Sequence, residues 1–129
     1  MKILIADDDA TSLLLLQAIV KYFGHECLVT NDGLDAWELL QSTSVDVVIS
    51  DWMMPSLSGF QLCRHIRSVS RLAETYFILL TGKQEQEDVQ RGERAGADAY
   101  MTKPVDRAQL KLLLDEVARN TARPQGDGS

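Results

Sequence analysis

Three aspartates stand in a row at Asp7, Asp8 and Asp9, and three further polar residues, Asp51, Thr81 and Lys103, each follow a short apolar run. If those runs are strands of one parallel sheet, these side chains meet at a single rim. Two carboxylates ~5 Å apart repel by roughly 3 kcal/mol at an effective dielectric of 20. A trio therefore needs a cation or shifted protonation. Lys103 supplies one positive charge, and a hard divalent ion would supply the rest. Mg²⁺ suits an all-oxygen site that substrate phosphate completes, with Mn²⁺ as its substitute. Carboxylates, a hydroxyl and an ammonium around such an ion are the parts phosphoryl transfer uses, since that reaction is dominated by positioning and charge neutralisation. A carboxylate can itself be the nucleophile, forming an aspartyl phosphate.

The elements that would position these groups are legible as alternation. Five strand-length runs, Lys2–Ala6, Glu26–Thr30, Val45–Ser50, Tyr76–Leu80 and Ala99–Thr102, are rich in Ile, Val, Leu or aromatic residues. Helical patterns lie between and after them. Thr11–Phe23 carries Leu13, Leu14, Leu16, Ile19, Val20 and Phe23, and Gly33–Ser42 carries Ala36, Trp37, Leu39 and Leu40. Ser58–Val69 carries Phe60, Leu62, Cys63, Ile66 and Val69. Lys83–Ala95 is mostly polar, and Asp106–Asn120 places Leu110, Leu113, Leu114 and Val117 on one side. Gly24 and Gly96 fall where the first and fourth of these helices should stop, and Asp9 and Asp32 fall where the first and second should be capped. Repeated βα units predict an α/β domain with a parallel sheet, helices on both faces and right-handed crossovers. Ligands of such sheets bind beyond the carboxyl ends of the strands, where Asp7, Asp8, Asp51, Thr81 and Lys103 fall.

Bulk properties narrow the options. A length of 129 residues suits one domain, 1–120, followed by a polar tail, 121–129, that reads as a linker or frayed end. The net charge of -6 disfavours direct binding to nucleic acid or to anionic membranes. No apolar stretch approaches the roughly 18 residues of a membrane span, and no secretory signal is evident, so a cytoplasmic location is expected. Cys27 and Cys63 show no metal-ligand spacing and read as two buried thiols. His25 and His65 fit no nucleophile or metal pattern and are expected to be solvated. Trp37, Met54 and Leu57 read as packing residues.

Asp7-Asp8 after the first strand, Asp51 after the third, Thr81-Gly82 after the fourth and Lys103-Pro104 after the fifth resemble the signature of response-regulator receiver domains. The segment Asp51 to Gly59 (DWMMPSLSG) is similar to that family's stretch around its phosphorylated aspartate, and the likeness runs from Lys2 to about Asn120. The resemblance implies a flavodoxin-like (βα)5 sheet of strand order 2-1-3-4-5. It also implies a Mg-dependent signalling switch, not a metabolic enzyme, that takes a phosphoryl group on Asp51 from a histidine kinase or phosphotransfer protein and later removes it. Asp8 and Asp51 would ligate the metal directly and Asp7 through water, with Met53 contributing its backbone carbonyl. Thr81 and Lys103 would bind the phosphoryl group, and Lys103-Pro104 would be a cis peptide. Tyr100 matches an aromatic switch position that reads out to a face formed by the fourth helix, fifth strand and fifth helix. That face would meet an output domain, a target protein or a second copy.

Some positions depart from the family's habit. Ser58 stands where an acidic residue is common, and Gln61 where Glu is frequent. Met53 and Lys83 flank the site at positions that set phosphate lifetime. Two other readings remain open on the sequence. Asp7-x-Asp9-x-Thr11 resembles the nucleophile motif of haloacid-dehalogenase-type phosphatases, with Asp7 as nucleophile. A receiver-like interaction module that works without phosphorylation is the other.

Overall fold

The protein is described here from a computed structural model covering residues 1–82 and 95–122, with side chains described as far as residue 120. Five strands, β1 (Lys2–Ala6), β2 (Glu26–Thr30), β3 (Val47–Asp51), β4 (Tyr76–Thr81) and β5 (Ala99–Thr102), form one sheet of order β2-β1-β3-β4-β5. Every neighbouring pair is parallel. Helices α1 (Ala10–Tyr22), α2 (Gly33–Ser42), α3 (Gly59–Arg67) and a C-terminal helix (Arg107–Ala122) surround it, with a short 3₁₀ turn at Ser70–Leu72. The expected helix over Lys83–Ala95 and most of the tail lie outside the described residues.

Strand alternation splits the core into two layers. Leu4, Ala6, Val48, Phe77 and Leu79 point to one face, where they meet Ala36 and Leu40 of α2 and Leu62, Cys63 and Ile66 of α3. Ile3, Ile5, Val47, Ile49, Ile78, Leu80 and Met101 point to the other and meet Leu16, Ile19 and Val20 of α1 and Leu110, Leu114 and Val117 of the C-terminal helix. The central strands are therefore apolar on both sides, as parallel strands covered by helices must be. Truncating Phe77 to Ala, which is fully buried, should cost about 3–5 kcal/mol.

The helix ends follow the expected chemistry. Asp9 accepts from Thr11 N at 3.3 Å and from the Ser12 hydroxyl at 3.0 Å, and Asp32 accepts from Leu34 N at 2.7 Å. Gly24 and Gly96 have φ of 90° and 96°, a conformation that costs glycine little.

Several expectations need correction. Leu14, counted with the apolar face of α1, is 67% exposed. Cys63 is buried, and burial pushes its thiol up to about 11, but Cys27 on the edge strand is only half-buried. His65 is exposed as expected, yet its ring meets Trp37 edge-on and its Nδ1 lies 2.8 Å from the Gln61 carbonyl. His25 is half-buried, with Nδ1 3.1 Å from the N-terminal amine, and burial followed by that amine's charge lowers its pKa.

Candidate functional site

The polar residues at the strand ends share one rim. β1 carries the chain into Asp7, whose N–H still donates to Thr30 of β2 at 3.1 Å. This extra rung holds Asp7 in strand geometry and turns its carboxylate inward, where it is 0% exposed. Asp7 Oδ1 accepts from Asp9 N at 2.9 Å, while Asp8 next to it is exposed. Asp51 ends β3, beside the Leu80 position of β4. Its Oδ1 accepts from Trp52 N at 2.9 Å, and its side chain is 14% exposed, so it lies at the mouth of the cleft. One oxygen each from Asp7, Asp8 and Asp51 lie within 4.8 Å of one another.

Thr81 and Lys103 complete the rim. The buried Thr81 ends β4, and its carbonyl accepts from Lys103 N at 2.9 Å, which brings the residue after β5 alongside. Lys103-Pro104 is a cis peptide, as expected. Lys103 Nζ stands 2.9 Å from Asp7 Oδ2 and 3.3 Å from Asp51 Oδ1. Burial pushes the Asp51 carboxyl up to about 6, and the Asp7 charge adds to this, although Lys103 and the Trp52 N–H pull the other way. Burial alone would lower the Lys103 ammonium, but its two carboxylate neighbours more than offset that and raise it.

One ammonium serves three carboxylates here: Lys103 Nζ lies 2.9 Å from the fully buried Asp7 Oδ2 and 3.3 Å from Asp51 Oδ1, and the exposed Asp8 completes the cluster. Three clustered carboxylates that share one lysine, with no sulfur or imidazole among them, match what a hard divalent cation takes.

Two further expected residues occupy the surroundings. Met53 lies two residues past Asp51 and is 65% exposed. Tyr100 in β5 stands opposite Leu79 and packs, half-buried, against the core layer of α2 and α3. Lys83 lies outside the described residues.

The Asp51–Gly59 loop is built in a way the sequence reading did not foresee. A Cβ on Gly59 would sit 2.1 Å from the Asp51 carbonyl, so only glycine lets α3 start this close to the strand end. Gly59 N–H closes the loop on the Trp52 carbonyl at 3.0 Å. Ser58 and Gln61 form a reciprocal capping box: Gln61 N donates to Ser58 Oγ at 3.1 Å, and Ser58 N donates to Gln61 Oε1 at 2.9 Å. These two departures from the family's habit thus start α3, and the S-x-x-Q spacing was the signal that could have revealed them. Arg67 was also missed. Its guanidinium donates to the carbonyls of Gly96, Ala73 and Thr75 and to Asp98, joining α3 to the start of β4 and the approach to β5.

Comparison with known proteins identifies the family. Residues 3–115 match the family described as the response regulator receiver domain. Protein PilH of Pseudomonas aeruginosa is 35% identical over 116 residues, spanning 90% of this chain and 96% of that protein. The phosphate regulon transcriptional regulatory protein PhoB of the same species is 32% identical over 92% of this chain, but the match spans only 52% of PhoB. A receiver domain of a Pseudomonas aeruginosa sensor histidine kinase, solved with a magnesium ion coordinated in its active-site cleft, superposes with a TM-score of 0.84 at 25% identity. That match covers 91% of this chain and 97% of the other.

Proposed function

The chain belongs to the response regulator receiver domain family, and from that premise we propose that Asp51 is the phosphoryl acceptor of a Mg²⁺-dependent switch. Phosphorylation-dependent signalling is the function of the family; the residue roles are our reading. The observation that carries them is the convergence of Asp7, Asp8 and Asp51 oxygens within 4.8 Å, with Lys103 Nζ 2.9 and 3.3 Å from two of them.

Asp51 suits the acceptor role because its described hydrogen bond and its ion pair both fall on Oδ1. Oδ2 is then the attacking atom. It forms the new O–P bond as the P–N bond of a donor phosphohistidine breaks, and the departing imidazole keeps the electron pair and takes up a proton. Lys103 stands beside the neighbouring oxygen, 3.3 Å from Oδ1, close enough for its ammonium to neutralise charge on the incoming group. The Thr81 hydroxyl, one residue beyond the strand position opposite Asp51, donates to a phosphoryl oxygen. Asp8 and Asp51, with the Met53 carbonyl, would hold Mg²⁺ directly and Asp7 would hold it through water. Mn²⁺ fits the same oxygen set. Bound there, the ion supplies charge neutralisation for the transferred group.

The free-energy scale fits a switch. Two charge-assisted hydrogen bonds, from Thr81 and Lys103, contribute about 3–6 kcal/mol together. Turning a 1:99 population into 99:1 takes about 5.5 kcal/mol. The site therefore comes close to driving the domain alone, and a partner or second copy at the β5 and C-terminal-helix face completes the change. The donor is a histidine kinase or phosphotransfer protein, and the same site carries the self-dephosphorylation. In the cytoplasm such a donor is within reach. No described helix is long and apolar enough to cross a membrane.

A phosphatase with Asp7 as nucleophile fits less well. Asp7 is wholly buried, with one oxygen bonded to Asp9 N and the other facing Lys103. Beryllofluoride, an inert phosphoryl mimic, separates the readings. It should bind with Mg²⁺ to the wild-type chain and not to Asp51→Asn, as read by tryptophan fluorescence. Retained binding in that variant would contradict the assignment, and failure of the wild type to bind would favour the phosphorylation-independent module.

A further inference from the structure

The turn at Ser56 is the tip of the loop that carries Met53, and its backbone is held in a costly conformation. Ser56 has φ of 70°, the one non-glycine residue with positive φ among the described residues. The turn around it is closed by Leu57 N–H donating to the Pro55 carbonyl at 2.7 Å. A three-residue turn with φ near +75° at its centre is a rare and strained form. Such a residue persists only where its surroundings hold it in place.

Two contacts from α2 hold it. The Ser56 hydroxyl donates to Asp32 Oδ2 at 3.1 Å, while Asp32 Oδ1 accepts from the first N–H groups of α2. One carboxylate thus caps the helix and tethers the turn. Beside it, Gly33 leaves room for the loop: a Cβ there would lie 1.8 Å from the Leu57 carbonyl. The loop is also closed at its base by Gly59 N–H on the Trp52 carbonyl. Met53 lies between the base closure and the tip tether.

We propose that Asp32 and Ser56 are positioning residues for metal binding, tying the loop that carries the Met53 carbonyl to the N-terminus of α2. The inference rests on reading that carbonyl as a Mg²⁺ ligand. It assigns a role to two residues that touch neither metal nor phosphate. The tether fixes the tip, the base closure fixes the root, and the carbonyl between them is held in one orientation before the ion arrives. A loop without its tip contact must be ordered when the ion binds, which weakens affinity.

The test is a Mg²⁺ titration followed by Trp52 fluorescence in a Trp37→Phe background, with thermal unfolding of the metal-free proteins alongside. Ser56→Ala removes the tether without changing charge or the cap. It should raise the Mg²⁺ dissociation constant about three- to tenfold, the scale of one lost hydrogen bond, with little change in unfolding temperature. Ser56→Asn tolerates positive φ and keeps an N–H donor for Asp32, so it should retain near wild-type affinity. A Ser56→Ala constant within twofold of wild type, or a lower unfolding temperature at unchanged affinity, would overturn the proposal and leave Ser56 a structural residue. If the wild-type chain itself binds no Mg²⁺, the underlying metal assignment fails and takes this one with it.

Discussion

Lys103 and Asp7 form an ion pair across the site, with Nζ 2.9 Å from Oδ2 and the carboxylate wholly buried. Removing one partner of a buried pair leaves an uncompensated charge, which is the costly half of such interactions. Here the same ammonium also faces Asp51 at 3.3 Å. Lys103→Met should therefore destabilise the metal-free protein by about 2–4 kcal/mol in urea unfolding, and adding Asp7→Asn should recover much of the loss. Additive effects of the two substitutions would mean that the pair is not coupled.

The raised Asp51 carboxyl sets a pH dependence. Its folded value of about 6 lies above its ordinary value of 3.8, so the folded chain holds the proton more tightly than the unfolded one. That contribution is fully present below about pH 4 and is lost as pH rises through about 6. Asp51→Asn should flatten this slope and raise metal-free stability at pH 7.5. The gain should be about 1–2 kcal/mol, less than the whole shift implies because the carboxylate still reaches solvent. Thermal unfolding from pH 4 to 8 in a chelator checks this, and a parallel slope in wild type and variant would refute it. Mg²⁺ affinity of the wild type should fall below pH 6 for the same reason.

Tyr100 sits in β5 two residues before Thr102 and three before Lys103, and we propose that it connects the site to the face beyond it. Tyr100→Ala should leave labelling by acetyl phosphate within about twofold of wild type, because the ring touches none of the reacting groups in this reading. The amide shift changes that Mg²⁺ and beryllofluoride induce in β5 and the C-terminal helix should shrink. Undiminished shifts would remove Tyr100 from the signalling route.

Arg67 serves the fold and not the chemistry. It donates to three carbonyls and to Asp98, at the end of the sheet away from the aspartates. Arg67→Ala should cost about 2–4 kcal/mol and leave Mg²⁺ affinity unchanged, measured by urea unfolding and metal titration. Arg67→Lys should recover less than half, because a single ammonium cannot reproduce the planar fork. Full recovery by lysine would show that charge alone matters.

The elements were legible because the central strands β1, β3 and β4 are short apolar runs buried on both faces, and because Asp9, Asp32 and Gly24 mark helix ends by local chemistry. The site was legible for a topological reason: parallel strands put every carboxyl end at one rim, so Asp7, Asp51, Thr81 and Lys103 needed only the right strand assignment to converge. The remaining features depend on contacts between distant segments. Nothing near Arg67 in sequence indicates that its partners lie at Ala73, Thr75, Gly96 and Asp98. The Asp32–Ser56 bond spans 24 positions, and the close approach of Gly33 to Leu57 is set by how α2 packs beside the loop. Leu14 was misplaced because periodicity gives a face but not its width, and the stripe that α1 buries is narrower than its leucines suggest.

If Asp51 carries the phosphoryl group, the resulting acyl phosphate can be located directly. The protein should be incubated with acetyl phosphate and Mg²⁺, the acyl phosphate reduced with borohydride, and the modified residue found by peptide mass mapping. A single Mg²⁺-dependent modification is expected at Asp51, absent in Asp51→Asn. Modification at Asp7, or none under conditions where Mg²⁺ binds, would contradict it.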